Sequence, residues 1–249
     1  MVELEVSDGV AWLTLNRPAK LNALDRTSVR ELTAHLRRLS EREDARVVVT
    51  RGAGRAFCAG SDLADLAPLS PAEAAAAEAE HAAAGALYDA VPVPTIAMLH
   101  GYVLGGGLGL ALYHDFRIAA ASANLGMPEI ELGWTPPWAM GRLVDVVGGA
   151  NARWLALTGI RVSGAEAQQL GLVNEVVADE QLAERVEAFA RRLAALSPTA
   201  LRETKDLLVR MSPLRRAEWD EAASAAFARC FATPEARANV ERFLRKSHG

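Results

Sequence analysis

His100-Gly101-Tyr102-Val103-Leu104-Gly105-Gly106-Gly107-Leu108-Gly109-Leu110 follows an apolar run at 94–99 and precedes a helical pattern. A buried strand ends, the chain turns on glycine, and a helix begins. Backbone N–H groups bare of side chains at such a helix N-terminus can face an anionic ligand atom. A second segment of the same kind, Phe57-Cys58-Ala59-Gly60-Ser61-Asp62-Leu63, lies forty-odd residues upstream. Two donors of this sort converging on one oxygen make an oxyanion hole.

Outward from these segments, strands and helices alternate. Runs 2–6 and 10–15 flank Ser7-Asp8-Gly9 and predict an N-terminal hairpin. Val29, Leu32, Leu36 and Leu39 recur with a helical period over 27–39, and 46–50 is a valine-rich strand. Ser70-Pro71-Ala72-Glu73 is a capping box that opens an alanine-rich helix to about residue 90. The glycine triplet opens a helix to about 114, and 116–120 returns to strand. This alternation predicts an α/β fold. Beyond residue 150 only 173–177 reads as a strand. A second capping box, Ser163-Gly164-Ala165-Glu166, and helix starts at Ser197-Pro198 and Thr233-Pro234-Glu235 make the C-terminal third helical. A boundary near Leu196 divides a core, 1–196, from a helical region, 197–249.

Composition narrows the partners. With 249 residues, 51% hydrophobic, the chain can bury one large core. A net charge of −4, without dense Lys or Arg runs, argues against nucleic acid and against an anionic membrane surface, leaving a small molecule or another copy of the chain. Cys58 and Cys230 stand far apart in apolar contexts and read as two buried thiols of a reducing compartment. The acidic start, Met1-Val2-Glu3-Leu4-Glu5, lacks the basic and apolar regions of a signal peptide, so a cytoplasmic location is expected. The apolar run 93–113 is broken by His100 and its glycines, which favours strand, turn and helix over a membrane span.

Five segments, in order along the whole chain, carry a resemblance. They are Leu15-Asn16-Arg17-Pro18-Ala19-Lys20-Leu21-Asn22-Ala23-Leu24, Gly54-Arg55-Ala56-Phe57-Cys58-Ala59-Gly60-Ser61-Asp62-Leu63, the His100 to Gly107 stretch with Asp115, Met127-Pro128-Glu129-Ile130-Glu131-Leu132-Gly133, and Gly171-Leu172-Val173-Asn174-Glu175-Val176-Val177. The chain resembles the crotonase, or enoyl-CoA hydratase/isomerase, superfamily. The resemblance implies a crotonase-like spiral of ββα units with a C-terminal helical trimerisation region, assembled as a homotrimer or a dimer of trimers. It implies acyl-CoA thioester substrates, with coenzyme A part of the substrate and neither a separate cofactor nor a metal. Carried over by position, the oxyanion donors fall on the amides of Ser61 and Gly106, each such donor being worth roughly 3–4 kcal/mol of barrier. Lys20, Asp62 and Leu63 fall where the family holds the adenine and phosphates. Lys20 is shifted by one from the commonest spelling, and Lys246, or Arg245 beside it, corresponds to C-terminal lysines that reach a neighbouring subunit's nucleotide.

The chemistry departs from the family's hydratases. These use two glutamates, one just past the glycine triplet and one in the Pro-Glu segment. Gly109 stands at the first position and Glu129 at the second. Glycine has no proton to exchange, so the two-carboxylate mechanism needs another group to substitute. Glu131 is close in sequence, but on a tight turn it reads as a solvated carboxylate. Pro136-Pro137 also stands where many hydratases of the family have a glycine-rich stretch whose amide helps orient the water-binding glutamate, and proline has no amide hydrogen. One carboxylate above an enolate can still move a proton from the α- to the γ-carbon, so Glu129 is expected to serve as the single base of an enoyl-CoA double-bond isomerase. A hydratase, or a C–C lyase or decarboxylase, is the alternative on the same scaffold, and a non-catalytic acyl-CoA-binding accessory subunit the alternative of another class.

Other residues have plainer readings. His81, on the alanine-rich helix, reads as a partly exposed surface residue, with a substitute acid as the alternative. His100 reads as packed behind the site, Asp115 as a structural cap or pair, and Cys58 as core. Trp134 and Trp138 read equally as acyl-pocket lining or as packing under the helical region. Asp25 and Arg26 are expected on a solvated face.

Overall fold

The alternating apolar runs at the N-terminus fold as a hairpin whose register places Val2 opposite Leu15. The structure, a computed structural model, describes the backbone of residues 1–211 and 216–246. Strands β1 (Val2–Ser7) and β2 (Val10–Leu15) lead through a 3-10 turn at Pro18–Lys20 to α1 (Arg26–Glu41). Asp25 caps α1, accepting the Ser28 amide at 2.7 Å, and pairs with Arg17 at 3.2 Å, so it is a structural residue and not part of a solvated face. Val29, Leu32, Leu36 and Leu39 are buried along α1, as their period requires. Burying each such side chain contributes about 1.5–3 kcal/mol.

Next come β3 (Val47–Gly52), β4 (Ala56–Cys58), α2 (Leu63–Leu66) and α3 (Pro71–Ala90), the last with its capping box formed at Ser70 and Glu73. They are followed by β5 (Thr95–Leu99), β6 (Tyr102–Leu104), α4 (Gly106–Leu112), β7 (Phe116–Ala120) and β8 (Asn124–Gly126). The remainder is α5 (Met140–Thr158), β9 (Arg161–Ser163), α6 (Gly164–Gln169), β10 (Glu175–Val177), α7 (Leu182–Ala194), α8 (Pro198–Met211), α9 (Arg216–Phe231) and α10 (Pro234–Lys246). β9 departs from expectation: a three-residue strand is too short to show any hydrophobic period.

The strands form two sheets. The larger runs β1-β2-β3-β5-β7-β10 and is parallel after the first pair. Val47, Val48 and Val49 of β3 are all buried, the continuous apolar run that a strand covered on both faces requires. α7 packs against β3, β5 and β7. The smaller sheet runs β4-β6-β8-β9, with β4, β6 and β8 parallel and β9 antiparallel at its edge.

α3 lies between α1 and α9, and its alanines permit that close approach. Trp134, Phe227, Phe231, Ala236 and Val240 build a second apolar core beneath the last two helices. α8 is pinned by Lys205, whose Nζ donates to the Tyr88 and Val93 carbonyls at 3.0 Å and to Asp115 at 2.8 Å. Asp115 thus has the structural role expected of it, also accepting the Thr95 amide at 2.8 Å. Cys58 is fully buried and its thiol is pushed up to about 12 by that burial, whereas Cys230 is half-buried rather than buried as expected. Among the described residues no helix is long and apolar enough to cross a membrane.

Candidate active site

β4, β6 and β8 are parallel neighbours, so their C-terminal ends lie side by side, where clefts form in parallel sheets. Each end carries one of the singled-out segments. β4 runs into Gly60-Ser61, β6 into Gly105-Gly106, and β8 into a 3-10 turn, Pro128–Leu132, that holds Glu129.

Strand geometry aims the first amide. Leu24 donates to the Gly60 carbonyl at 2.8 Å, and Asp62 donates to the Leu24 carbonyl at 2.9 Å. In an extended chain successive groups alternate in direction, so the Ser61 N–H between these bonds points the other way, into the cleft. The Gly106 N–H is the first of α4, where no carbonyl of the helix reaches it. Gly105, just before it, sits at φ 54° and ψ −125°, a conformation that essentially only glycine adopts. A Cβ built on Gly106 lies 3.6 Å from the Ser61 nitrogen, which puts the two amides together.

Glu129 faces this pair. A Cβ on Gly105 would stand 2.9 Å from its Oε1, and its Oε2 is buried without a hydrogen-bond partner among the described residues. The residue is 8% exposed. Burial pushes its carboxyl up to about 8, with the negative charge of Glu78 acting in the same direction and a hydrogen bond from its own amide opposing.

Glu78 is a buried carboxylate of the cavity wall that the sequence pattern did not single out. It lies on α3, is 1% exposed, and lines the same cavity as Glu129. Trp138 donates its Nε1–H to Glu78 Oε2 at 2.9 Å, and His81 Nδ1 stands 3.3 Å from the same oxygen and 3.2 Å from Ser61 Oγ. Burial works to raise the Glu78 carboxyl. It is outweighed by the charge of His81 and by hydrogen bonds from His81, Ser61 and Trp138, which hold the group below the usual carboxylate range. His81 is therefore buried, at 5% exposure, and not the surface residue expected. A signal was present: Ala74, Glu78, His81, Ala82 and Gly85 have the helical period and share the inward face of α3.

Trp138 also accounts for Gly109. Its ring atoms stand 3.1–3.3 Å from where a Cβ at position 109 would lie. The indole occupies the space a side chain there would need. Trp134 packs edge-on against Phe227 with ring centroids 5.2 Å apart, so both tryptophans serve packing while Trp134 also lines the cavity.

The remaining singled-out residues divide. Leu63 lines the cavity with Ser61, Gly106 and Glu129. Asp62 instead caps α2 through the Ala64 amide at 3.1 Å and pairs with Arg17 at 3.0 Å. Lys20 is exposed on the 3-10 turn next to the cavity-lining Leu21. Lys246 closes α10, and its side chain lies outside the described residues. Glu131 is exposed and pairs with Arg161 at 3.0 Å. His100 Nε2 lies 3.0 Å from the Gly54 carbonyl, behind the site.

The cavity measures about 360 Å³ and its walls are mostly apolar, the polar groups including the two amides, the buried carboxylates of Glu78 and Glu129, and the Glu131–Arg161 pair. Such a site suits an apolar chain ending in a polarisable carbonyl. Comparison with known proteins agrees. Residues 5–248 match the enoyl-CoA hydratase/isomerase family. The chain is 34% identical to a crotonyl-CoA hydratase of Syntrophomonas wolfei, covering 98% of this chain and 94% of that one. It is 36% identical to the (E)-benzylidenesuccinyl-CoA hydratase of Thauera aromatica, over 84% of this chain and 82% of the relative. The crystal structure of an enoyl-CoA hydratase/isomerase from Xanthobacter autotrophicus Py2 superposes with a TM-score of 0.91 at 30% identity, covering 99% of this chain and 93% of that one.

Proposed function

From the premise that this chain belongs to the enoyl-CoA hydratase/isomerase family and has its crotonase-like α/β fold, we propose that it moves the double bond of an enoyl-CoA thioester from position 3 to position 2. The observation that carries this reading is the buried Glu129 carboxylate opposite the paired amides of Ser61 and Gly106. The amides hold the thioester oxygen as negative charge grows on it, which acidifies the α-carbon. Glu129, once ionised, removes the α-proton, and the resulting dienolate takes the same proton back at the γ-carbon. A carboxyl poised near 8 is a stronger base than an ordinary glutamate when it acts. This route asks for no side chain at position 109.

Coenzyme A enters as part of the substrate, its nucleotide end near Lys20, Asp62 and Leu63, where Lys246, or Arg245 beside it, reaches the same nucleotide from a neighbouring subunit. Assembly as a homotrimer or a dimer of trimers fits the apolar residues that one protomer leaves exposed, among them Trp154 and Leu157 at 54% and 71%. Light scattering on the purified chain measures that state.

The test of the chemistry is deuterium wash-in. In D2O the wild type is expected to label the α-carbon of an acyl-CoA and to conjugate a 3-enoyl-CoA, and Glu129→Gln to lose both. Undiminished exchange in that variant would remove Glu129 from the mechanism.

A further inference from the structure

Glu78 is a buried carboxylate with no part in the route above. An ionised group so enclosed is costly unless its hydrogen bonds are made, and two are, from Trp138 Nε1 at 2.9 Å and His81 Nδ1 at 3.3 Å. Trp138 and His81 both reach Oε2, Ser61 adds a further side-chain hydrogen bond, and the residue forms part of the cavity wall. In the same cavity Glu129 Oε2 is buried without a hydrogen-bond partner among the described residues. Two carboxylates facing one apolar space, one braced by three side-chain donors and one held only by its own amide, are chemically unlike.

We propose that Glu78 is a second catalytic carboxylate of this pocket, supplied from α3 in place of the one absent at Gly109, and that with Glu129 it adds water to a 2-enoyl thioester. This rests on the acyl-thioester reading of the cavity. Glu78 takes a hydrogen from a water molecule whose oxygen bonds to the β-carbon. The electron pair of the double bond moves to the α-carbon, which takes the proton of Glu129. The Ser61 and Gly106 amides hold the charge that passes through the thioester oxygen. One water is added, Glu78 ends protonated and Glu129 ionised, and exchange with solvent restores both. The resting states suit this order: the surroundings of Glu78 hold it ionised and those of Glu129 hold it protonated, so base and acid stand ready. Among the described residues, the other titratable groups around the cavity are His81 behind Glu78, and Glu131 and Arg161, which pair with each other.

The experiment feeds the full chain a 2-enoyl-CoA and a 3-enoyl-CoA in parallel and follows loss and gain of the conjugated thioester. Wild type is expected to consume the first and produce it from the second. Glu78→Gln is expected to lower the ratio of hydration to isomerisation by about 100-fold or more, the range of a general base. Trp138→Phe removes the Nε1 donor together with part of the ring that lies over Gly109, and is expected to lower the same ratio by about tenfold. It carries the test if Glu78→Gln does not fold. A wild type that isomerises without hydrating, or a Glu78→Gln ratio within threefold of wild type, overturns this proposal alone. A wild type that neither isomerises nor labels the α-carbon overturns the thioester reading and this proposal with it.

Discussion

Trp138 lies over Gly109, its six-membered ring 3.1–3.3 Å from the place a Cβ would take. The absence of a carboxylate at 109 is thus a packed feature, and restoring one means moving an indole. Gly109→Glu is expected to destabilise the fold by about 1–3 kcal/mol, the usual cost of overpacking a core. Urea unfolding of the variant should show a lower midpoint, and in a Trp138→Ala background, itself less stable, the further loss from Gly109→Glu should be smaller. An unchanged midpoint in the single variant would mean the ring moves freely.

Gly106 offers a test of the amide itself. It is the first residue of α4, where proline is tolerated, and proline has no N–H. Gly106→Pro is expected to lower kcat by about 10²–10³, the effect of losing one oxyanion donor. Gly106→Ala brings a comparable Cβ contact with Trp138, 3.3 Å away, but keeps the N–H, and should stay within about tenfold of wild type. Equal losses in both would assign the effect to crowding.

Glu129 gives opposite pH limbs to two reactions. As a base it must be ionised, so kcat/KM for isomerisation should rise through about pH 8; as an acid it must be protonated, so kcat/KM for hydration should fall through the same point. Parallel limbs would contradict the dual role.

The same carboxyl links pH to stability. It ionises near 4.5 in the unfolded chain and about 8 in the folded one. Between these values the folded state keeps a proton the unfolded state has lost, so this group makes stability fall as pH rises through that window. Glu129→Gln removes the effect. At about 1.4 kcal/mol per pKa unit, the variant should be more stable than wild type by a few kcal/mol at pH 9, with the difference vanishing near pH 4.5. A pH-independent difference in urea midpoints would refute this origin.

Lys205→Met leaves two carbonyls and the Asp115 carboxylate without their shared donor. Removing one partner of such a buried cluster costs about 3–5 kcal/mol. A lower urea midpoint and faster amide exchange in α8 are the expected readouts, and an unchanged midpoint would show that the helix docks through its apolar face.

The two glycine turns were legible as local patterns, a strand giving way to a helix, whereas Ser61, Gly106 and Glu129 were singled out through the resemblance; the ends of three parallel strands place all three around one cavity. The hairpin, α1 and both capping boxes were legible for the same reason, since neighbours in sequence decide them. Glu78 and His81 were not. Their burial depends on Trp138, about sixty residues further on, and among the alanines and glutamates of α3 the inward stripe is marked by small size more than by hydrophobicity. β9 was missed because three residues display no period, and Asp25 because a cap and a surface charge look alike without the partner Arg17.

The three strands β4, β6 and β8 act as a ruler. Neighbouring strands sit about 4.8 Å apart, a spacing set by backbone hydrogen bonds and indifferent to side chains. The span from the Ser61 amide to the Glu129 turn is therefore inherited from the peptide backbone, and drift in the surrounding sequence leaves it unchanged. Glu78 hangs on a helix outside that ruler. One half of the chemistry is thereby fixed, while the other can be exchanged by altering α3 and the ring that braces it.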